Sequence, residues 1–500
     1  MIDLQGNSKI WSLHILKHLI TFVPAILFVM AAISCNREEL DPDPEAMPSF
    51  STDTVTFDTV FTSIGSATLY FKVYNRSSRP LLISDIELAG GVASFFRLNI
   101  DGEPLSRVSN VKIPPDDSLF VFVAVTVDPN NQNNPILVRD SVVFNTNGKL
   151  QHIKLLAYGQ DVHLIKRKFT ASQTWEADKP YLIYDYLAVD TGEILTINAG
   201  CKIYFHRNAS LVVYGSLKAE GTFENPVVFQ NDRPEEFYDI IPGQWGTIYF
   251  DPVSHDNTLN HVLIMNPTAG IQIGYPTDYS VPDLTISNST ILNVSFAGIY
   301  AFGADITCYN TVFANSAGPL VALLRGGNYR FWHCTFDNNG VPGASRNSPS
   351  VVLTNFFNNP ELNPSSGEYE YVRYAGDLEE ADFMNSIVTG NYPHELQFVF
   401  IPEAGFTYHF DHCILKAVED SISNYPAAKF TSVFINKDPL FVNDTDRYHL
   451  DFSLDTLSPA KDSGDVQLLQ AWPFLIEDFK GNLRNNDEGP DLGAFERKED

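Results

Sequence analysis

Basic residues are scarce in this 500-residue chain: 33 Lys and Arg stand against 61 Asp and Glu, a formal net charge of −28. A field of that sign repels phosphate, which argues against a nucleic-acid partner, and it weakens any reading in which the ligand is an acidic polysaccharide. Cysteine is scarce too. The five cysteines include no close pair of the kind a zinc site uses; no cofactor and no metal site is expected from the sequence, with bound calcium or a local basic patch left as the ways to reverse the field at one site. Extended apolar runs are nearly absent, and the run over residues 19–33 is short for a membrane span and broken by Pro24. What the chain has instead is aromatic bulk. Thirty-six Phe and twenty-two Tyr favour strands over helices.

The N-terminus carries an address. Lys9, His14, Lys17 and His18 precede the apolar run, which ends at Ala32-Ile33-Ser34-Cys35. A basic flank, a short apolar core and small residues before a cleavage point make residues 1–34 a secretory signal. The tetrapeptide resembles the bacterial lipobox, with Ala32 in place of the more usual Leu. That resemblance implies lipidation of Cys35, and acylation by two or more chains gives lasting attachment to a lipid membrane. Residues 35–49 are acidic and broken by Pro42 and Pro44, so they read as a tether that cannot pack. The segment is similar to the export signal of surface-exposed lipoproteins of Bacteroidetes-type bacteria, which implies an outer-membrane protein displayed at the cell surface.

Residues 50–161 alternate strand-like runs with turn clusters: 69–74, 81–88, 119–127, 138–144 and 153–158. With no convincing helix between them, they suggest an antiparallel β-sandwich. Phe71-Lys72-Val73-Tyr74-Asn75, Pro80-Leu81-Leu82-Ile83 and Ile113-Pro114-Pro115-Asp116 resemble the Ig-like domains of the abnormal-spindle/hydin type, which serve as spacers and adaptors.

Over residues 259–417 one short pattern recurs: apolar, any, Asn or His, small, any, apolar. Its anchors are Ile264, Ile291, Phe313, Phe336, Val388 and Leu415, separated by 27, 22, 23, 52 and 27 residues. His261, Asn288, Asn310, His333, Asn385 and His412 stand three before each anchor, and Leu259, Ile286, Cys308, Phe331, Phe383 and Phe410 five before. Period-two alternation broken by one polar corner, repeated every two dozen residues, is what a coiled strand stack requires. Cys334 and Cys413 then fall two coils apart, roughly 9.6 Å, beyond a disulfide's reach. Both read as buried small residues, whereas Cys201 and Cys308 have no assignable partner. The shared corner makes the three histidines hydrogen-bonding residues rather than catalysts. Earlier strands such as Ile194-Leu195-Thr196-Ile197 and Leu211-Val212-Val213-Tyr214 continue the logic upstream, and each later coil adds a second strand after a small-Gly corner, such as Gly298-Ile299-Tyr300-Ala301.

These repeats resemble right-handed parallel β-helix proteins of the pectin-lyase-like class, and Gly489-Pro490-Asp491-Leu492-Gly493-Ala494-Phe495-Glu496 resembles their closing coil. The expected fold is therefore all-β: an N-terminal Ig-like β-sandwich over 50–161, a right-handed single-stranded parallel β-helix over 162–460, and a closing coil or cap over 461–500. The chain carries no recognisable catalytic motif of pectate, alginate or chondroitin lyases, and no paired-Asp motif of polygalacturonases.

The outward positions narrow where chemistry could sit. Six before each anchor stand Thr258, Thr285, Thr307, Arg330, Asp382 and His409; four before stand Asn260, Ser287, Tyr309, Trp332, Met384 and Asp411. The early coils are bland, and the last three gather charge. Asp382 and Asp411 would lie one coil apart and two residues along, about 8 Å between Cα atoms, a spacing that suits inverting hydrolysis. His409 as base and Arg330 as a clamp for a uronate would instead suit a lyase. A long loop within residues 356–379, with Tyr369, Tyr371 and Tyr374, is expected beside this face and, with Trp332, makes a binding surface for a polysaccharide or glycoconjugate. Two readings stay open: a non-catalytic binder or scaffold, and a carbohydrate-active enzyme, either a polysaccharide lyase or an inverting glycoside hydrolase.

Overall fold

The computed structural model describes residues 39–498 except 101, 105, 130–135, 365, 419–425 and 487. The secretory segment and Cys35 lie outside the described residues. Among the described residues no helix is long and apolar enough to cross a membrane. The described residues divide into two compact units, one within 39–160 and the other within 161–498.

The first unit holds two five-stranded sheets. Leu69–Tyr74 and Leu81–Leu88 form with the expected bounds, and Ser118–Val125, Ile136–Thr146 and Lys149–Gln160 follow. Their alternation puts Val73, Ile83, Val121, Val123, Phe144 and Leu155 into one core, with polar neighbours on the outer faces. Pairing is antiparallel except where Thr54–Phe61 joins Lys149–Gln160 in parallel.

The second unit is a stack of parallel coils, each contributing up to three strands. One ladder of ten strands runs from Gln173–Trp175 to Phe430–Thr431. The other two start together on His163–Thr170 and Tyr181–Val189 and are joined in an eighteen-stranded sheet. The expected register holds throughout: Ile264, Ile291, Phe313, Phe336, Val388 and Leu415 pair in succession, and the ladder extends upstream through Phe229 and Ile203 to Tyr181 and downstream to Ile435. Inside, Phe331, Phe383 and Phe410 stack nearly parallel, with centroids 4.9 and 4.6 Å apart. Coil spacing of about 4.8 Å matches aromatic stacking distance, so Phe at consecutive inward positions stacks ring on ring along the core. All four described cysteines are buried and unbridged. Cys308, which has no partner by sequence spacing, lies with its Sγ 3.8 Å from that of Cys334 in the next coil.

The corner explains the choice of Asn and His. His261, Asn288, Asn310, His333, Asn385 and His412 all have φ between 47° and 49°. Among residues with a Cβ this left-handed turn is tolerated best by Asn, Asp and His. Side chains then bond along the stack: Asn288 Nδ2 donates to Asn260 Oδ1 at 3.0 Å and Asn310 Nδ2 to Asn288 Oδ1 at 3.1 Å. His333 is fully buried, donating from Nδ1 to the Asp491 carbonyl and accepting at Nε2 from Asn385. Burial, and then the Arg484 guanidinium, push its pKa well below the ordinary value, so it stays neutral.

The long interval is one coil with an insertion. Arg330 pairs directly with Asp382, and the extra residues form an antiparallel hairpin of Phe356–Leu362 and Tyr369–Ala375.

The C-terminal segment departs from expectation. Coil strands end at Phe434–Ile435, and the residues that follow add no closing coil. They return along the flank of the stack, as a hairpin of Phe441–Asn443 with Asp451–Leu454 and a short helix Val466–Ala471. Phe452, Ala494 and Phe495 pack on Val312 and Ala314, and Leu454, Ala460 and Leu492 on Ile387 and Ile414. The outer face of these coils is itself apolar, so hydrophobic burial draws the segment onto the flank.

Candidate functional site

Three outer faces follow from the three ladders. The first bears the residues that the sequence singles out. Arg330 donates from Nη1 to Asp305 Oδ1 at 3.0 Å and also pairs with Glu380. Asp382 stands two residues beyond Glu380 on the same side of the strand and beside His409 in the next coil. Burial, then the Glu380 carboxylate, push the Asp382 carboxyl up to about 6, while His409 and Arg330 pull it down. His409 Nε2 lies 3.0 Å from Thr431 Oγ1. Asp411 keeps its expected register position but turns elsewhere: its Oδ1 accepts from His412 Nδ1 at 2.9 Å, and Asp465 joins the two, with ligand atoms all within 4.8 Å of one another. Asp465 is the N-cap of Val466–Ala471 and accepts from the Gln467 backbone, so this trio already has a structural task. Asp382 and Asp411 thus belong to two different clusters. Alternation alone would have found Glu380, because i and i+2 share a face; the contributions of Asp305 and Asp465 come from neighbouring coils and a distant segment.

Trp332 points outward as its position requires but is 4% exposed, covered by Leu468, Leu469 and Leu475 and stacked on Trp472. It is a docking point for the C-terminal segment and is closed to a ligand. The tyrosine hairpin also lies differently than expected. Phe357 packs edge-on to Phe302 at 5.0 Å and Tyr374 approaches Tyr279 at 6.5 Å, both on the side of the third ladder. Tyr374 is held by a hydrogen bond to Glu361. Tyr369 and Tyr371 are 72% and 77% exposed.

That third face escaped the sequence reading. Its outward residues pair coil by coil as Phe169, Ala188, Val212, Tyr249, Gln272, Tyr300, Ala322, Val352 and Gln397. No charged side chain interrupts this ladder. Tyr275, Tyr279 and Phe296, all exposed, flank it on loops, and Phe296 packs on Tyr300 at 5.0 Å. Burial raises the Tyr249 phenol pKa, and Asp251, Tyr214, Tyr275 and Asp278 nearby raise it further. The signal was present in the sequence as the second strand of each coil; reading it required the register between coils separated by unequal loops.

Comparison with known proteins bears on the fold. No curated protein matches the chain. Among solved structures, a family 123 glycoside hydrolase from Clostridium perfringens, studied for glycolipid glycan hydrolysis, is 10% identical over 23% of this chain and 26% of that one, with a TM-score of 0.17. This chain therefore spans about a quarter of that enzyme's length. A PapD-like domain of human CEP192 is 9% identical over 25% of this chain and 94% of its own, with a TM-score of 0.17. The catalytic domain of a GH87 α-1,3-glucanase in complex with nigerose is 10% identical over 74% of this chain and 88% of that one, with a TM-score of 0.19. At such scores none of the three carries an argument about activity. A family model described as a right handed beta helix region matches residues 269–359, and the coil stack is a right-handed parallel β-helix.

Proposed function

We propose that this chain is a lipoprotein of the outer membrane, anchored at the cell surface through acylated Cys35, whose β-helix binds an extracellular glycan without cleaving it. In this reading residues 50–161 are an Ig-like spacer that holds the β-helix away from the bilayer. The observation that carries the reading is the aromatic surface of the third face: exposed Tyr369 and Tyr371 on a hairpin packed against it, with Tyr275, Tyr279 and Phe296 alongside. Sugar rings present flat C–H faces that stack on aromatic rings, and large rings exposed together mark interaction surfaces. Affinity electrophoresis of residues 36–500 in gels containing soluble polysaccharides tests it. Retardation by at least one glycan, weakened in a Tyr369→Ala/Tyr371→Ala variant, is the expected result; migration unchanged by every glycan would refute binding. Labelling with palmitate, lost in Cys35→Ala, tests the anchor.

One observation favours a second reading. A carboxyl raised to about 6 at Asp382 beside a carboxylate at Glu380 pairs a proton donor with an acceptor on one surface, as general acid–base hydrolysis requires. Release of reducing ends from a bound glycan, abolished by Asp382→Asn, would replace the binding reading with an enzymatic one.

A further inference from the structure

The third face also constrains which glycan fits, an inference that rests on the glycan-binding reading above. In a chain of net charge −28, the outward ladder of nine residues from Phe169 to Gln397 carries no charge, and neither does the second-face row from Val228 to Phe434 on which the C-terminal segment packs. The half-buried run Val212, Tyr249, Gln272 and Tyr300 spans three coil steps of about 4.8 Å, roughly 14 Å, the scale of a few sugar units rather than of a single one. Ala188 and Ala322 are buried, and Phe357 of the hairpin covers Phe302, Ala322 and Leu324 with Tyr300 and Val352 packed alongside, so the open stretch of the ladder runs from Val212 to Tyr300.

At the Phe169 end Lys166, Arg167 and Lys168 are exposed, whereas around Tyr249 the charge is negative. The loops bring Asp251 and Asp278 close to Tyr249, and the hairpin brings Glu361 to Tyr374. Two guanidinium groups lie over rings here, and Arg325 keeps Nε and Nη1 buried without a hydrogen-bond partner. Arg325 is buried, stacked over Tyr279 at 4.6 Å, and donates from Nη2 to the Phe302 carbonyl. Arg373 lies over Phe356 at 5.0 Å and donates to Asn358. A uronate or sulfate chain laid beside Tyr249 would meet the Asp251 and Asp278 carboxylates, and the Arg325 guanidinium is buried out of its reach.

We infer that the third face binds an uncharged polysaccharide, stacked on Tyr249, Tyr300 and the hairpin tyrosines and running along the coil axis. Tyr249, Gln272 and Tyr300 occupy successive coils, so a ring, an amide and a ring stand at the spacing of three rungs. The amide supplies hydrogen bonds to sugar hydroxyls without adding charge.

The test is affinity electrophoresis of residues 36–500 against two sets of soluble polymers. One set is neutral (a β-glucan, a galactomannan and a xylan) and the other anionic (polygalacturonate, alginate and chondroitin sulfate). Retardation by a neutral polymer, unchanged between low and high salt, is expected. Tyr300→Ala and Tyr249→Ala should each weaken it about tenfold, the loss expected for one stacked ring. Gln272→Glu, which keeps size and adds one charge, should weaken it as well and covers the case in which the tyrosine variants fold poorly. Retardation only by anionic polymers, falling with salt or with removal of divalent cations, would overturn the inference and leave glycan binding intact. Neutral binding lost in Arg330→Ala and kept in Gln272→Glu would overturn the assignment to this face. Retardation by no polymer would overturn both the inference and the glycan-binding reading. A dimer dissolved by Gln272→Glu would overturn the inference too, since the ladder would then be covered by a second copy of the chain.

Discussion

Asp337 offers a quantitative test of how the C-terminal segment is held. It follows the anchor Phe336 on the strand Thr335–Asn338, is almost fully buried, and takes one hydrogen bond from Asn339 Nδ2 at 2.7 Å. Burial first, then repulsion from Asp444 and Glu395, push its carboxyl up from the ordinary 3.8 to about 8, with Arg346 opposing. The unfolded chain releases this proton near pH 4 and the folded chain near pH 8. Raising the pH between those values therefore costs stability, at about 1.4 kcal/mol per pH unit. Asp337→Asn keeps the shape and cannot ionise. It should gain under 2 kcal/mol near pH 5 and up to about 5 kcal/mol near pH 8, a ceiling that relaxation and water entry lower. Guanidinium unfolding followed by circular dichroism at the two pH values reads the difference as a displacement of the midpoint. Equal displacement at both, or a less stable variant near pH 8, would refute the reasoning. The native segment would then hold Asp337 ionised through contacts other than those seen here.

Phe383→Ala removes the middle ring of the stack between Phe331 and Phe410 and should destabilise the β-helix by about 3–5 kcal/mol, seen as an earlier unfolding midpoint. At the corner, Asn288→Gly and Asn288→Ala lose the same side-chain bonds, but only Ala suffers in the left-handed region at φ 48°. Ala should be the less stable of the two by about 1 kcal/mol, and the reverse order in thermal melts would contradict the corner geometry. Trp332→Ala should lower stability and speed proteolytic release of the C-terminal segment while leaving glycan retardation unchanged. The four buried cysteines should react with a thiol reagent only after denaturation, and fast labelling of the native protein would refute their burial.

Much of this protein was legible in the sequence for a physical reason. An inward apolar residue every second position, one corner needing left-handed backbone and a core that stacks like on like are local demands, each met by a residue type that few alternatives replace. Ile264 to Leu415 could therefore be aligned without coordinates, and with them the outward stripe of Arg330, Asp382 and His409. Where side chains turn once outside the coil is not local. Asp411 faces His412 and Asp465 because a helix cap 54 residues later arrives beside it, and Trp332 is closed because the apolar flank drew the C-terminal segment over it. The uncharged ladder from Phe169 to Gln397 is written in nine strands separated by loops of unequal length, so the sequence held every residue of it. Only the tertiary register, fixed by backbone hydrogen bonding between coils, decided that they form one surface.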